Sequence, residues 1–546
     1  VRAGTTRQRC ADVSAHRPSA RVHHLLQAVR RWTRVDLALI LLALLGVAAR
    51  LGQFLSGRSL WVDEALVAND LAELSWIDSL TGRSPRNQLA PPGFWIVSHA
   101  ADAVSSDELM LRLFPLLAGI ALLIVTVIYA TRRLEHRASR LLLVAVIAFS
   151  PSLIYYSTEL KQYGIEALLS MVAIVAVAER ASLSRVQIVA LAWVMLAFSL
   201  PSLLIVPVLG VLWLITEARS RGLTGAVRYL APPGAAILLA WALALTWAQL
   251  AKPGIMQGFW ADAFGPLPTG TAELGWWVRN IVGLSHLSLS NLGVPLHTEN
   301  PAWVTTGSRL VAVALFGLVV VGALRVSATI LRSDDREYRP AVNGWLAVVP
   351  AILTICAALA AASVLELYPF RGRLLMVLVP LVAVAAAHGL DVTVERRPSQ
   401  RLVPGRVERA VAATAAGAVV IAVVGSAYSL TVDPYDRWDI EPAVEWIADN
   451  AEVGDDVVAY CLSDQQLQYY RSHLDETKVT IHPCLTTLDL QSVLGRAGGE
   501  RMWFLHGHVL DDAAAVELIA THPSVVATLR SEGVVAVLID PAAIDS

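Results

Sequence analysis

From residue 36 to residue 431 the chain is built of long apolar runs separated by short polar segments. Runs of about 17–25 apolar residues suit helices that cross a hydrocarbon core of about 30 Å. Eleven such runs stand at 36–55, 108–131, 138–157, 160–179, 186–200, 201–217, 226–249, 302–331, 341–364, 373–390 and 409–431. Pro201 and the length of 186–217 divide that stretch into two spans. The segment 90–104 opens on Pro91-Pro92-Gly93 and is short for a span, so it is expected to be interfacial or re-entrant.

Arginine placement orients the predicted spans. Arg21, Arg30, Arg31 and Arg34 precede the first span and put the N-terminus in the cytoplasm. No small-residue cleavage site follows that span, which reads as a retained anchor. With 90–104 on the outer face, the basic loops 132–140, 180–185, 219–228, 325–339 and 396–409 all fall inside. The outer segments are then 56–107, 150–160, 250–301, 365–372 and everything after about 432.

Beyond 432 the pattern changes. Short apolar runs at 457–461, 479–482, 502–505 and 534–539 alternate with helix-like stretches at 440–450, 464–472, 487–497 and 511–521. This predicts a small extracytoplasmic α/β domain with a partly parallel sheet. Cys461 and Cys484 sit near strand ends, and sequence leaves their pairing open. Three regions result: a basic cytoplasmic tail (1–35), a membrane domain (36–431) and the external domain (432–546).

Composition agrees with this layout. Hydrophobic residues make up 55% and charged residues 16%, and mean hydropathy is +0.56. Four cysteines and the lack of CxxC or HxxxH spacing exclude a disulfide scaffold and a structural zinc site. The net charge of −2 excludes a polybasic nucleic-acid binder. Lysine supplies only 3 of 43 basic residues, a bias that, with abundant alanine and valine, suggests a GC-rich bacterial genome.

Three clusters on the predicted outer side carry chemistry. Leu60-Trp61-Val62-Asp63-Glu64-Ala65 offers two adjacent carboxylates for a general base or a metal, or else the cap of an interfacial helix with Trp61 as an aromatic anchor. The run 150–163 contains Tyr155, Tyr156, Glu159, Lys161 and Tyr163, read either as site residues or as an interfacial ion pair among headgroup tyrosines. If helix begins near Glu159, Glu159 and Tyr163 share a face and Lys161 points elsewhere. The third, 366–373, ends in Arg371-Gly372-Arg373 and suits a phosphate, or two arginines snorkelling to lipid headgroups. Together they supply carboxylates, a lysine and arginines at headgroup depth, as a phosphate-bearing lipid would require. In 250–301, Trp260, Trp276 and Trp277 are aromatic sugar platforms or belt residues, and His286 and His297 are weak metal candidates.

These segments resemble the polyprenyl-phosphate-dependent glycosyltransferases of the GT-C class, notably the protein mannosyltransferase and 4-amino-arabinose lipid A transferase superfamily. The likeness rests on Trp61, Asp63 and Glu64 (W-x-D-E), on Pro91, Pro92 and Trp95, and on Ser150, Pro151, Tyr156, Ser157, Glu159, Lys161 and Tyr163. It continues in Arg373, Leu374, Leu375 and Pro380, with leucine where the family has tyrosine. It spans about residues 36–390. The resemblance implies a GT-C fold and an inverting transfer of sugar from a polyprenyl-phosphate donor to a glycan, lipid or protein acceptor, at the outer face of the cytoplasmic membrane. It implies Asp63 and Glu64 as the catalytic carboxylates, with Asp63 as base and Glu64 orienting the acceptor; Arg373, Arg371 and Lys161 on the donor phosphate; and Glu159, Tyr163 and Trp61 as orienting residues. No cofactor is required, with a divalent cation at Glu64 as an option; Ala90 replaces a residue often polar in the family, which weighs against a metal. The competing readings are a lipid-linked glycan ligase or polymerase, a lipid or glycan transporter, and an inactive scaffold. No inverted repeat or midplane acid supports transport.

Overall fold

The computed structural model describes residues 34–82, 84–252, 254–286, 313–327, 340–394 and 438–544, the last without 462, 508 and 532, together with isolated positions between 410 and 425. The basic tail before Arg34, the loops 328–339 and 395–409, nearly all of the span expected at 409–431, and His297 lie outside the described residues.

The apolar runs become helices: α1 (Arg34–Phe54), α4 (Glu108–Arg133), α5 (Arg137–Phe149), α7 (Tyr163–Ala178), α8 (Arg185–Phe198), α9 (Ser202–Ala251), α11 (Val313–Ser327), α12 (Pro340–Val364) and α13 (Val379–Val394). Among the described residues, five helical stretches are long and apolar enough to cross a membrane. The stretch Gly372–Val394 is one of them and lies almost wholly enclosed by its neighbours. The two spans expected at 201–217 and 226–249 join in α9, which breaks at Gly222, where φ 70° and ψ 161° leave the helical region. The segment 90–104 forms only α3 (Pro92–Asp102), with proline in its first turn. It is short, as expected.

The run 138–157 is not one span. Helix α5 stops at Phe149, where Arg50 of α1 donates to the carbonyls of Ile147 and Ala148 at 3.0 Å each. At its other end Asp391 of α13 accepts from the amides of Glu135 (3.0 Å) and His136 (2.8 Å). With both ends satisfied by distant side chains, the chain restarts at Ser150 as the short α6 (Pro151–Tyr156). Residues 157–162 then form buried turns inside the helical body. Gly119 of α4 makes room for them, since a Cβ there would stand 2.4 Å from Ser157 Cβ.

The C-terminal domain carries a five-stranded sheet in the order β2-β1-β3-β5-β4, from β1 (Asp455–Ala459), β2 (Val479–Ile481), β3 (Met502–Gly507), β4 (Val525–Ser531) and β5 (Val534–Ile539). The β1 strand runs parallel to β2 and β3, while β5 runs antiparallel to β3 and β4. The mixed sheet agrees with the partly parallel sheet expected from the sequence, and β4 is additional to the four apolar runs read as strands. Its residues alternate between half-buried and exposed, the pattern of an edge strand. Cys461 and Cys484 form a disulfide with Cα atoms 4.8 Å apart.

Candidate active site

The first loop folds into α2 (Val62–Glu73), with Trp61 at its N-cap. Successive helical residues point about 100° apart, so Asp63 and Glu64 face different surroundings. The Asp63 carboxylate meets Arg373, Nη2 to Oδ2 2.6 Å. Both side chains keep some exposure, 19% for Asp63 and 16% for Arg373. Arg373 comes from the 3-10 turn Gly372–Leu378 that leads into α13. Three rings surround its guanidinium: Trp61 at 5.4 Å, Tyr163 at 6.0 Å and Trp260 at 6.0 Å to the centroid. Its Nε is buried and has no hydrogen-bond partner among the described residues. A buried donor without a partner is costly unless something else accepts from it.

Lys161 and Glu159 stand around this pair. Lys161 is buried and donates through Nζ to Gln88 Oε1 at 2.6 Å. Burial lowers the affinity of its amine for a proton; the Asp63 carboxylate opposes that shift and Arg373 adds to it, and the net direction is down. Lys161 therefore shares the electrostatic surroundings of Asp63 and Arg373 and does not point elsewhere. The reason is that helix α7 begins at Tyr163, so Glu159 and Lys161 belong to the preceding turn. Glu159 is fully buried and accepts from Trp61 Nε1 at 2.5 Å. That bond fixes the indole that lies against Arg373.

Glu64 is placed differently from the expected catalytic or cation-binding carboxylate. It is fully buried and accepts two bonds from Arg112, Nε to Oε1 2.8 Å and Nη2 to Oε2 2.7 Å. The Leu160 amide donates to Oε1 at 2.8 Å, and Arg58 Nη1 stands 3.6 Å from Oε2. Burial pushes the Glu64 carboxyl up, yet the charges of Arg112 and Arg58 and these hydrogen bonds outweigh it and hold the group below its ordinary value. A cation here would have to displace a bidentate guanidinium, so the site does not fit a metal. Arg371 is exposed, and among the described residues it makes no ion pair. Gly372, at φ 56°, turns the chain between the two arginines.

ArnT from Cupriavidus metallidurans, in the crystal structure bound to undecaprenyl phosphate, superposes with a TM-score of 0.50 at 13% identity, over 92% of this chain and 97% of that one. The chain shares its fold. The apo-state crystal structure of ArnT gives a TM-score of 0.39 at 15% identity, over 96% and 99% of the two chains. No protein-family profile matches the sequence, and no curated protein matches it. The architecture is therefore an α-helical polytopic membrane protein of the GT-C fold carrying a small C-terminal α/β domain.

Sequence reasoning missed Arg58 and Arg112, which hold the first loop. Arg112 also donates to the carbonyls of Arg58 (2.8 Å) and Ser59 (3.0 Å). Its signal was available: a charge four residues into an apolar span requires buried partners. Arg86 escaped notice too. It joins Asp70 (3.0 Å) and Glu73 (2.5 Å) of α2 to Gln465 (2.7 Å) of the C-terminal domain. Trp277, on α10 (Thr271–His286), donates its indole N–H to the Pro266 carbonyl at 2.8 Å and packs on Phe370 at 5.4 Å, which anchors the outer segment to the chain just before Arg371. Among the described residues one grouping has the spacing of cation ligands: Glu441, Glu445 and His473, whose ligand atoms lie within 4.8 Å of one another. It belongs to the C-terminal domain.

Proposed function

We propose that the chain is an inverting GT-C glycosyltransferase that moves a sugar from a polyprenyl-phosphate donor to an acceptor on the outer face of the cytoplasmic membrane. One observation carries the reading: a partly exposed carboxylate, Asp63, and a cation, Arg373, meet at 2.6 Å although they come from opposite ends of the membrane domain. The neighbour that shares the fold was crystallised with undecaprenyl phosphate, a lipid of the donor's chemistry.

In this mechanism the donor phosphate takes over the fork of Arg373, including its unpartnered Nε, and Lys161 adds a second positive charge. Losing Arg373 frees Asp63 to accept a proton. The acceptor hydroxyl or amine attacks the anomeric carbon from the face opposite the phosphate, and its proton passes to Asp63. The bond from the anomeric carbon to the phosphate oxygen breaks, and its electron pair leaves with the lipid phosphate. That leaving group needs neutralisation by fixed cations more than protonation. Trp61, Tyr163 and Glu159 hold Arg373 and its surroundings in place. Glu64 positions the loop and takes no part in proton transfer.

The test incubates purified protein with radiolabelled polyprenyl-phosphate sugars and a panel of acceptors. Consumption of one donor with transfer to an acceptor is expected, and Asp63→Asn should abolish it while the protein still inserts and folds. Near-normal turnover by that variant would remove Asp63 from the base role.

A further inference from the structure

The C-terminal domain grips the segment just before Asp63. Leu60 donates its amide to Tyr470 Oη at 2.8 Å, and its carbonyl accepts from Gln466 Nε2 at 2.9 Å. Ser59 donates its amide to Asp439 at 3.0 Å, its hydroxyl donates to the same carboxylate, and its oxygen accepts from the Glu441 amide at 2.9 Å. Both backbone groups of Leu60 are thus satisfied by another domain, which fixes where Trp61 and α2 begin.

Trp438 extends this grip to the ring against Arg373. Its indole lies 5.7 Å from that of Trp61, centroid to centroid, at an interplanar angle of 41°. Its backbone has φ 43°, a region that bulky residues rarely adopt. Such an outlier persists only where its surroundings hold it. Gln466 Nε2, already on Leu60, reaches the Trp438 carbonyl at 3.2 Å. On the far side stands Gly533, in the turn between β4 and β5, where a Cβ would come within 2.5 Å of Trp438 Cδ1. A left-handed tryptophan, a glycine that gives it room and a shared glutamine direct one indole of the sheet domain at the indole that packs on Arg373.

We propose that Trp438 is a positioning residue of the reaction centre: it backs Trp61, and Trp61 in turn holds Arg373 against Asp63. The C-terminal domain is then a working part of the site. This rests on the reading of Asp63 and Arg373 as that centre, and the experiment separates the two.

Trp438→Ala and Trp438→Phe are compared with the wild type in lipid nanodiscs. Hydrogen exchange is followed at amides 58–66, with strands β1, β3 and β5 as an internal check on folding. Trp438→Ala should speed exchange at 58–66 while the strands stay protected, and Trp438→Phe, which keeps a ring, should restore most of the protection. In the transfer assay Trp438→Ala should lower kcat by about tenfold or more, the order expected when a group is displaced by a fraction of an ångström, with donor KM within about threefold. Unchanged exchange at 58–66 in Trp438→Ala overturns the proposal, as does a kcat equal to that of the wild type. If Trp438→Ala also loses strand protection, Trp438→Phe decides: wild-type exchange and kcat support the proposal, and faster exchange at 58–66 with intact strands overturns the ring-backing role. The exchange result does not depend on the chemistry assigned to Asp63, so an active Asp63→Asn enzyme would sink the catalytic reading and leave the positioning measurement standing.

Discussion

Replacing Glu64 by glutamine separates a structural carboxylate from a catalytic one. The substitution keeps the shape but removes the charge that faces Arg112 at 2.7 and 2.8 Å. If the new amide oxygen stays on Arg112 Nε and the Leu160 amide, its NH2 group confronts Arg112 Nη2, donor against donor. Removing one partner of a buried ion pair typically costs about 3–5 kcal/mol, because the other charge is left uncompensated. For a chain of this size that corresponds to a fall in apparent Tm of about 5–10 °C, read at one fixed scan rate. The double variant Glu64→Leu/Arg112→Met should recover part of the loss, since an apolar pair of similar volume is often neutral. It should stop about 2 kcal/mol short, because the Arg58 and Ser59 carbonyls lose their donors. Well below its melting temperature, Glu64→Gln should retain measurable transfer. A Glu64→Gln protein that melts like the wild type yet transfers nothing would refute the assignment and return Glu64 to the chemistry.

Three other sites give measurable outcomes: the Asp63–Arg373 pair, the Glu441 carboxyl and the Cys461–Cys484 disulfide. Arg373→Lys keeps a charge near Asp63 but loses the planar fork, so donor KM should rise by about tenfold; an unchanged KM would release the fork from phosphate binding. Burial, together with the charges of Glu108, Glu445 and Asp439, pushes the Glu441 carboxyl up to about 7. A raised carboxyl favours the fold below its ordinary value of 4.5, and that contribution is lost as pH rises through about 7. With chelator present, Glu441→Gln should therefore melt higher than the wild type at pH 8 and alongside it near pH 4.5; equal melting at both would remove the effect. Replacing Cys461 and Cys484 by serine reopens a loop with a sequence separation of 23, and should destabilise the sheet domain by about 3 kcal/mol on a chain-entropy basis. Reductant should lower the wild-type melt by the same amount and leave the serine variant unmoved.

The sequence announces spans well because an apolar run of membrane length is a one-dimensional signal. It hides breaks whose cause is tertiary. Ser150-Pro151 is the local mark of an end at Phe149, but the groups that satisfy the two ends of α5 are distant, Arg50 on α1 and Asp391 on α13. The β4 strand is illegible for a related reason, as alternation over seven half-exposed residues looks like ordinary surface until β5 pairs with it. At the site, residue types were legible and roles were not. Asp63 and Glu64 are neighbours of equal charge at the start of one helix, and the turn of that helix sends one toward Arg373 and the other toward Arg112. Which carboxylate stays accessible depends on which arginine each one meets, and those arginines stand at 112 and 373, on separate helical segments. A local motif can nominate the pair; only the packing of the two distant segments divides the labour between them.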